Sequence, residues 1–209
     1  MSEPRPHLRL VQTPRVESLP KQALASDVEL LALCAAGDDA AATAFVLRHQ
    51  GLVHRFLSRM LGASDPSVDD LAQKTFLAAL RSSNKFDGRS TARTWLLGIA
   101  NNQAKMQIRG QIRRRKAMEL LATLRLVQPP SRAPDIEASE SARRIQAAVL
   151  TLNPNRRAAF VLCEVQGMTA PQASAVLDAP EGTVRRWRAE ARAALQSKLR
   201  DLIDLGEGA

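Results

Sequence analysis

Between Arg81 and Lys116 the chain carries ten positive residues (Arg81, Lys85, Arg89, Arg93, Lys105, Arg109, Arg113, Arg114, Arg115 and Lys116) against one negative residue, Asp87. This stretch alone has a net charge of +9, equal to that of the whole chain, so the rest of the 209 residues is neutral in sum. A basic stripe of this density draws a polyanion, and nucleic acid is the commonest polyanion in a cell. A second basic group, Arg185, Arg186, Arg188 and Arg192, follows Thr183 near the other end. The chemistry these residues offer is recognition of phosphates and base edges. No carboxylate pair, nucleophile–base set or phosphate-cradling glycine loop is present, so an enzyme is not expected. Cys34 and Cys163 lie far apart with no Cys-x-x-Cys pair, and His7, His49 and His54 do not cluster with them, so neither a metal nor a cofactor is expected.

Helices must position both basic groups. Ser26 with Glu29 spells a capping box, and Gly37 spells the stop of that first helix. Asp38 or Asp39 caps a helix running towards Gly51, after which Leu52, Val53, Phe56, Leu57, Met60 and Leu61 repeat at one-face spacing up to Gly62. Ser67 and Asp70 read as a second capping box, ahead of Leu71, Thr75, Phe76, Ala79 and Leu80. A loop over 82–90 precedes a long helix with an inner stripe of Trp95, Leu96, Ile99, Gln103 and Met106 and a basic far end.

The texture then changes at Gln128-Pro129-Pro130-Ser131-Arg132-Ala133-Pro134, which cannot continue a helix. Beyond it helices are expected over 139–150 (Ile145, Ala148 and Val149 inward), 154–166 (Ala158, Val161, Leu162 and Val165 inward), 169–177 and 182–202. The last two have helix-turn-helix dimensions, with Thr169 as N-cap, a small Ser174, a turn through Asp178-Ala179-Pro180, and Arg185, Arg186 and Arg188 early in the second helix. No segment alternates with period two. The expected fold is all-α: a tail over 1–25, a helical domain over 26–124, a Pro-rich linker over 125–138 and a helix-turn-helix domain over 139–209.

Two stretches resemble one known family. Asp69-Asp70-Leu71-Ala72-Gln73-Lys74-Thr75-Phe76, Phe86-Asp87-Gly88 and Thr94-Trp95-Leu96-Leu97-Gly98-Ile99-Ala100-Asn101-Asn102 resemble the second conserved region of bacterial extracytoplasmic-function (ECF) sigma factors. Leu152-Asn153-Pro154, Val165-Gln166-Gly167-Met168-Thr169 and Pro180-Glu181-Gly182-Thr183-Val184-Arg185 resemble their fourth. The resemblance implies a promoter-specificity subunit of RNA polymerase. Asp70, Gln73 and Lys74 would then bind the coiled coil of the polymerase β′ subunit, with the β flap as a further contact. The 83–90 loop with Phe86, then Arg93, Asn102, Lys105 and Arg109, would hold unstacked bases and backbone of the −10 element. Thr183, Arg185, Arg186, Arg188 and Arg192 would meet the −35 element as duplex. Promoter DNA and an anti-sigma protein complete the implied partners.

The sequence departs from this pattern at Lys74, where an acidic residue is usual, at Ala92 and Arg93, where aromatics are usual, and at Arg188 and Glu190 in the recognition helix. Val184, Trp187, Ala191 and Leu195 form a continuous apolar stripe, which puts Trp187 in the core and Arg188 outward beside Arg185 and Arg192. Trp95 reads as a core anchor, Cys34 and Cys163 as small core residues. Two other functions fit parts of the sequence: a free-standing regulator using only the helix-turn-helix, and a polymerase-binding adaptor without promoter recognition. The longest apolar-rich run, Ala40 to Leu47, is eight residues, far below the roughly 20 a bilayer span requires, and the N-terminal residues lack a signal-peptide core, so a cytoplasmic protein is expected.

The charge distribution generates a first prediction. The chain alone binds duplex DNA weakly, with an affinity that drops by orders of magnitude between low and physiological salt, because each phosphate contact releases a counterion. A filter-binding or anisotropy titration over salt concentration checks this, and a salt-insensitive tight complex without polymerase contradicts it.

Overall fold

The computed structural model describes residues 25–123 and 140–204. The linker expected over 125–138 and all but residue 25 of the expected tail lie outside them. Every regular element among the described residues is helical: α1 (Asp27–Ala35), α2 (Asp39–Leu61), α3 (Val68–Arg81), α4 (Ala92–Thr123), α5 (Glu140–Leu150), α6 (Pro154–Phe160), α7 (Ala170–Leu177) and α8 (Glu181–Asp204). A 3₁₀ turn at Ser83–Lys85 and a π-helical turn at Val161–Val165 complete the set.

Local chemistry explains most of the boundaries. Ser26 and Glu29 form the capping box of α1, and Gly37 turns the chain at φ +88°, a conformation a Cβ would disfavour. Asp38 caps α2 through the Ala41 N–H at 2.9 Å. Thr169 and Gln172 cap α7 reciprocally. Ser67 and Asp70 do not form the expected box: the Ser67 N–H and hydroxyl both donate to Asp65, so Ser67 has no oxygen directed at α3. Nor does Gly51 interrupt anything. It lies inside α2, where its cost of about 1 kcal/mol is overridden by the core residues on both sides, Phe45 and His49 before it and Leu52, Val53 and Phe56 after.

Helices α1 to α4 pack on one another, α5 to α8 form a second group, and the groups meet where α7 lies on α4 and α5 on α2. Phe45, Phe56, Leu57 and Met60 of α2 are fully buried, together with Leu30, Leu31, Leu96 and Leu97. The α4 stripe differs from the expected one. Ala92, Leu96, Leu97, Ala100, Ala104 and Ile108 are buried, Trp95, Ile99 and Gln103 are half-buried, and Met106 is 66% exposed. The small Ala100 and Ala104 admit neighbouring helices, and this turns the larger side chains of the expected stripe to the flanks. Ile145 and Val165, both expected inside, are exposed. Ala148 and Val149 carry α5 inward, and the π turn shifts Val165 out of register with Val161 and Leu162. In α8, Val184, Ala191 and Leu195 are buried and Trp187 is half-buried against the same core.

One charged side chain ties the groups together. Arg157 of α6 is 6% exposed and has no carboxylate partner among the described residues; its terminal amino groups donate to the carbonyls of Met60, Leu150 and Leu152, the last at 3.1 Å, and its Nε is unpartnered. Met60 and Leu150 are in the last turns of α2 and α5, where carbonyls lack helical donors and the helix dipole favours a cation. Burial lowers the Arg157 pKa to about 10, which leaves it charged at neutral pH.

Two stability predictions follow from this packing. Arg157→Ala strands three inward carbonyls and destabilises the chain by on the order of 3 kcal/mol in thermal or urea melts; an unchanged midpoint contradicts the latch. Trp187→Ala costs about 2 to 3 kcal/mol, below the range for a fully buried aromatic because the ring is only half-covered. A silent melt would place Trp187 outside the core.

Candidate nucleic-acid interface

Asn102, Lys105 and Arg109 follow i, i+3, i+7 on α4 and share one face. Asn102 and Arg109 are exposed, whereas Lys105 is half-buried. Burial and the Arg109 charge pull the Lys105 pKa down, and the Asp178 carboxylate in the α7–α8 turn pulls it up. The turn of the helix-turn-helix therefore stands next to the basic face of α4. A Cβ built on Gly98 would lie 3.7 Å from the Val176 carbonyl, which shows how closely α7 covers this part of α4. Between Gly98 and Lys105, Asn101 is 1% exposed and neither its amide nitrogen nor its oxygen is hydrogen-bonded.

Arg93, in the first turn of α4, donates to the backbone carbonyl of Gln166 at 2.7 Å and to its side-chain oxygen at 3.2 Å. It too joins the two groups of helices. Thr91 caps α4 by accepting from the Thr94 N–H at 3.1 Å. Phe86, at the end of the 3₁₀ turn, tilts 52° against Trp95 with ring centroids 5.3 Å apart. Both rings are half-buried against the core, so Trp95 is not the buried anchor its sequence position suggests.

On α8 the structure alters the expected picture. Gly167 at φ +67° and Asp178 at φ +48° make the sharp turns before and after α7, and the Ser174 hydroxyl donates to the Ala179 carbonyl at 2.6 Å. Each arginine assigned to the DNA face has a carboxylate of the same chain within 4 Å: Arg185 with Glu181 at 3.0 Å, Arg186 with Glu190 at 3.9 Å, and Arg188 and Arg192 with Glu164 at 2.6 and 3.7 Å. Glu190 also takes Arg156 at 2.7 Å. Arg188 therefore does not stand free beside Arg185; it turns back to the π turn. Thr183 is half-buried at the start of the helix.

The third group lies on α3. Asp70, Gln73 and Lys74 are exposed, with Lys74 paired to Asp70 at 2.6 Å and Asp69 3.3 Å from His54. A groove of about 540 Å³ beside them is lined by Val46, Gln50, Ala72, Gln73 and Phe76. Among the described residues no group of three or more His, Cys, Asp or Glu side chains could hold a metal, and no helix is long and apolar enough to cross a membrane. Arg157, Glu164 and Asn101 escape sequence reasoning. Residue type and spacing give no sign that Arg157 would point inward, or that Glu164 would reach α8 from a π turn.

The comparisons with known proteins agree with both groups of helices. The Sigma-70 region 2 model matches residues 45–114 and the Sigma-70, region 4 model matches residues 142–195. The ECF RNA polymerase sigma-E factor of Haemophilus influenzae is 30% identical over 197 residues, covering 90% of this chain and 99% of that protein. The ECF RNA polymerase sigma factor SigC of Mycobacterium tuberculosis is 34% identical over 177 residues, covering 83% and 93%. Among solved structures, CnrH in complex with the cytosolic domain of CnrY superposes with a TM-score of 0.61 at 29% identity, covering 84% of this chain and 97% of CnrH. The sigma factor RpoE of Bartonella quintana, in complex with the anti-sigma factor NepR, shares the fold at a TM-score of 0.59 and 21% identity. A free-standing regulator would share only the helix-turn-helix, and here both regions match in order. The chain belongs to the ECF sigma factors and acts as an RNA polymerase sigma factor in transcription initiation.

Proposed function

We propose that the two basic helix faces divide the promoter between them. Asn102, Lys105 and Arg109 of α4, with Phe86 and Arg93 at the edge, hold the unpaired strand of the −10 element. Thr183, Arg185, Arg186, Arg188 and Arg192 of α8 meet the −35 element as duplex. The observation that carries this reading is that Asn102, Lys105 and Arg109 share one face of α4, and Arg185, Arg188 and Arg192 one face of α8. Asp70, Gln73 and Lys74 dock on the β′ coiled coil of core polymerase, and the C-terminal helices meet the β flap. Because Lys74 already neutralises Asp70, this docking draws on Gln73 and the apolar groove beside it more than on charge. The chain works in the bacterial cytoplasm, where core polymerase and promoter DNA are its partners.

Lys105 beside Asp178 and Arg93 on Gln166 are contacts between the groups, so promoter engagement requires α7 and α8 to leave α4. CnrH is in complex with the cytosolic domain of CnrY and the sigma factor RpoE of Bartonella quintana with the anti-sigma factor NepR, and an anti-sigma protein is the counterpart for this chain. The crevice between α2 and α5, about 780 Å³, carries Arg55, Arg59, Arg93 and Arg143 beside Ala147, Leu150 and Val165. That lining suits an acidic amphipathic segment.

Run-off transcription of a genomic fragment pool with purified core polymerase tests the whole reading. Discrete start sites that require both the chain and the core are expected, and their absence sinks it. Asn102→Ala lowers promoter opening far more than holoenzyme binding to closed duplex, since its contact arises only once a base is unstacked. Equal losses in permanganate footprints and duplex binding, or no loss at all, remove Asn102 from the site.

A further inference from the structure

Glu164 lies in the π-helical turn Val161–Val165, where the Gln166 N–H reaches back five residues to the Val161 carbonyl at 2.9 Å. Such turns displace one side chain from the regular helical register. Here the displaced segment brings the Glu164 carboxylate against α8, 2.6 Å from Arg188 Nε and 3.7 Å from Arg192 Nε, while remaining 25% exposed. The manner of the contact to Arg188 is what distinguishes it. Arg185 engages Glu181 through a terminal amino nitrogen, and Arg186 and Arg192 stand beyond hydrogen-bond distance from their carboxylates. Of these four α8 arginines, Arg188 alone is hydrogen-bonded through Nε. Its two terminal amino groups make no hydrogen bond within the described chain, and the side chain is 41% exposed.

A guanidinium held by Nε has one edge fixed and its terminal fork directed away from the carboxylate. That fork matches the paired acceptors, O6 and N7, on the major-groove edge of guanine. A solvent-exposed ion pair adds little to folding stability, so the pair has more effect on where the fork points than on whether the domain folds. We infer that Glu164 is a positioning residue that orients Arg188 to read a guanine in the −35 duplex. The inference rests on the assignment of Arg188 to the −35 contact, and it adds the base that is read and the group that aims the reader.

The test is a selection from duplexes randomised across the −35 region, made with holoenzyme assembled from the full chain and core polymerase. Wild type, Glu164→Gln, Glu164→Asp and Arg188→Ala are compared, each with a thermal melt. Wild type enriches a guanine at one position. Arg188→Ala loses that preference, by roughly 5- to 150-fold in relative affinity, and keeps the rest of the motif. Glu164→Gln loses preference at the same position with its melt within a few degrees of wild type, and Glu164→Asp, which retains the carboxylate, keeps a measurable part of it. If Arg188→Ala enriches the wild-type motif, the assignment of Arg188 fails and takes the inference with it. If Arg188→Ala loses the guanine and Glu164→Gln retains it, the assignment stands and the positioning role is overturned. Two further results overturn that role: tighter binding of Glu164→Gln to every duplex alike, which would make Glu164 only a charge brake, and loss of folding in that variant, which would make it structural.

Discussion

A buried guanidinium that faces only carbonyls sets the arrangement of everything around it. Arg157 remains charged at neutral pH even though burial pulls its pKa to about 10, and a charge so enclosed needs hydrogen-bond acceptors around it. With Nε left unpartnered among the described residues, its terminal amino groups donate to the carbonyls of Met60, Leu150 and Leu152. They belong to both groups of helices, so keeping the cation bonded fixes α6 against the end of α2. The packing of α6 on α8 and of α7 on α4 then follows from that junction.

Helix α4 bears the consequences. One face, through Leu96, Leu97, Ala100 and Ala104, completes the N-terminal core; another, at Gly98 and Asn101, lies under α7; a third carries Asn102 and Arg109 to solvent. These demands conflict at Asn101, whose amide is buried with no partner. An unpaired buried amide costs about 1 to 3 kcal/mol, an energy that the proposed departure of α7 would return by letting water or a nucleotide reach the side chain. The contact between the groups is thus strong at Arg157 and weak at Asn101. That contrast fits a junction that closes in the free chain and opens on the promoter.

Much of this was legible in the sequence where local rules govern. Ser26, Asp38 and Thr169 cap their helices because their side chains answer N–H groups three residues away, and Gly37 and Asp178 turn the chain as their types allow. The two basic groups and the order of the two regions were also plain. What sequence could not supply came from packing between distant segments. Asp65 diverts Ser67 from its cap, Ala100 and Ala104 rotate the inner stripe of α4 away from Met106, and the π turn takes Val165 out of the core. In the site, the types and spacing of Arg185, Arg188 and Arg192 were read correctly as one helix face, but not the carboxylates facing them. Glu164 precedes Arg188 by 24 positions, and no periodicity links a residue in one helix to its partner in another.

Those carboxylates change how the net charge of +9 should be understood. The basic end of α4 beyond Arg109 is exposed, and of its cations Arg115 pairs with Glu119 one turn on, so most of its charge is open to phosphate. On α8 Arg185, Arg186, Arg188 and Arg192 share three carboxylates, Glu181, Glu190 and Glu164, so the recognition helix presents less free charge to a phosphate backbone than α4 does. Attraction to any DNA therefore resides mainly in the N-terminal group of helices. In the proposed reading the C-terminal group adds affinity mainly where a base edge offers acceptors that match the terminal fork of an arginine already held by its carboxylate. On the proposed division of the promoter, nonspecific affinity and sequence reading fall on different helices, so that a holoenzyme would slide on the first while testing sequence with the second.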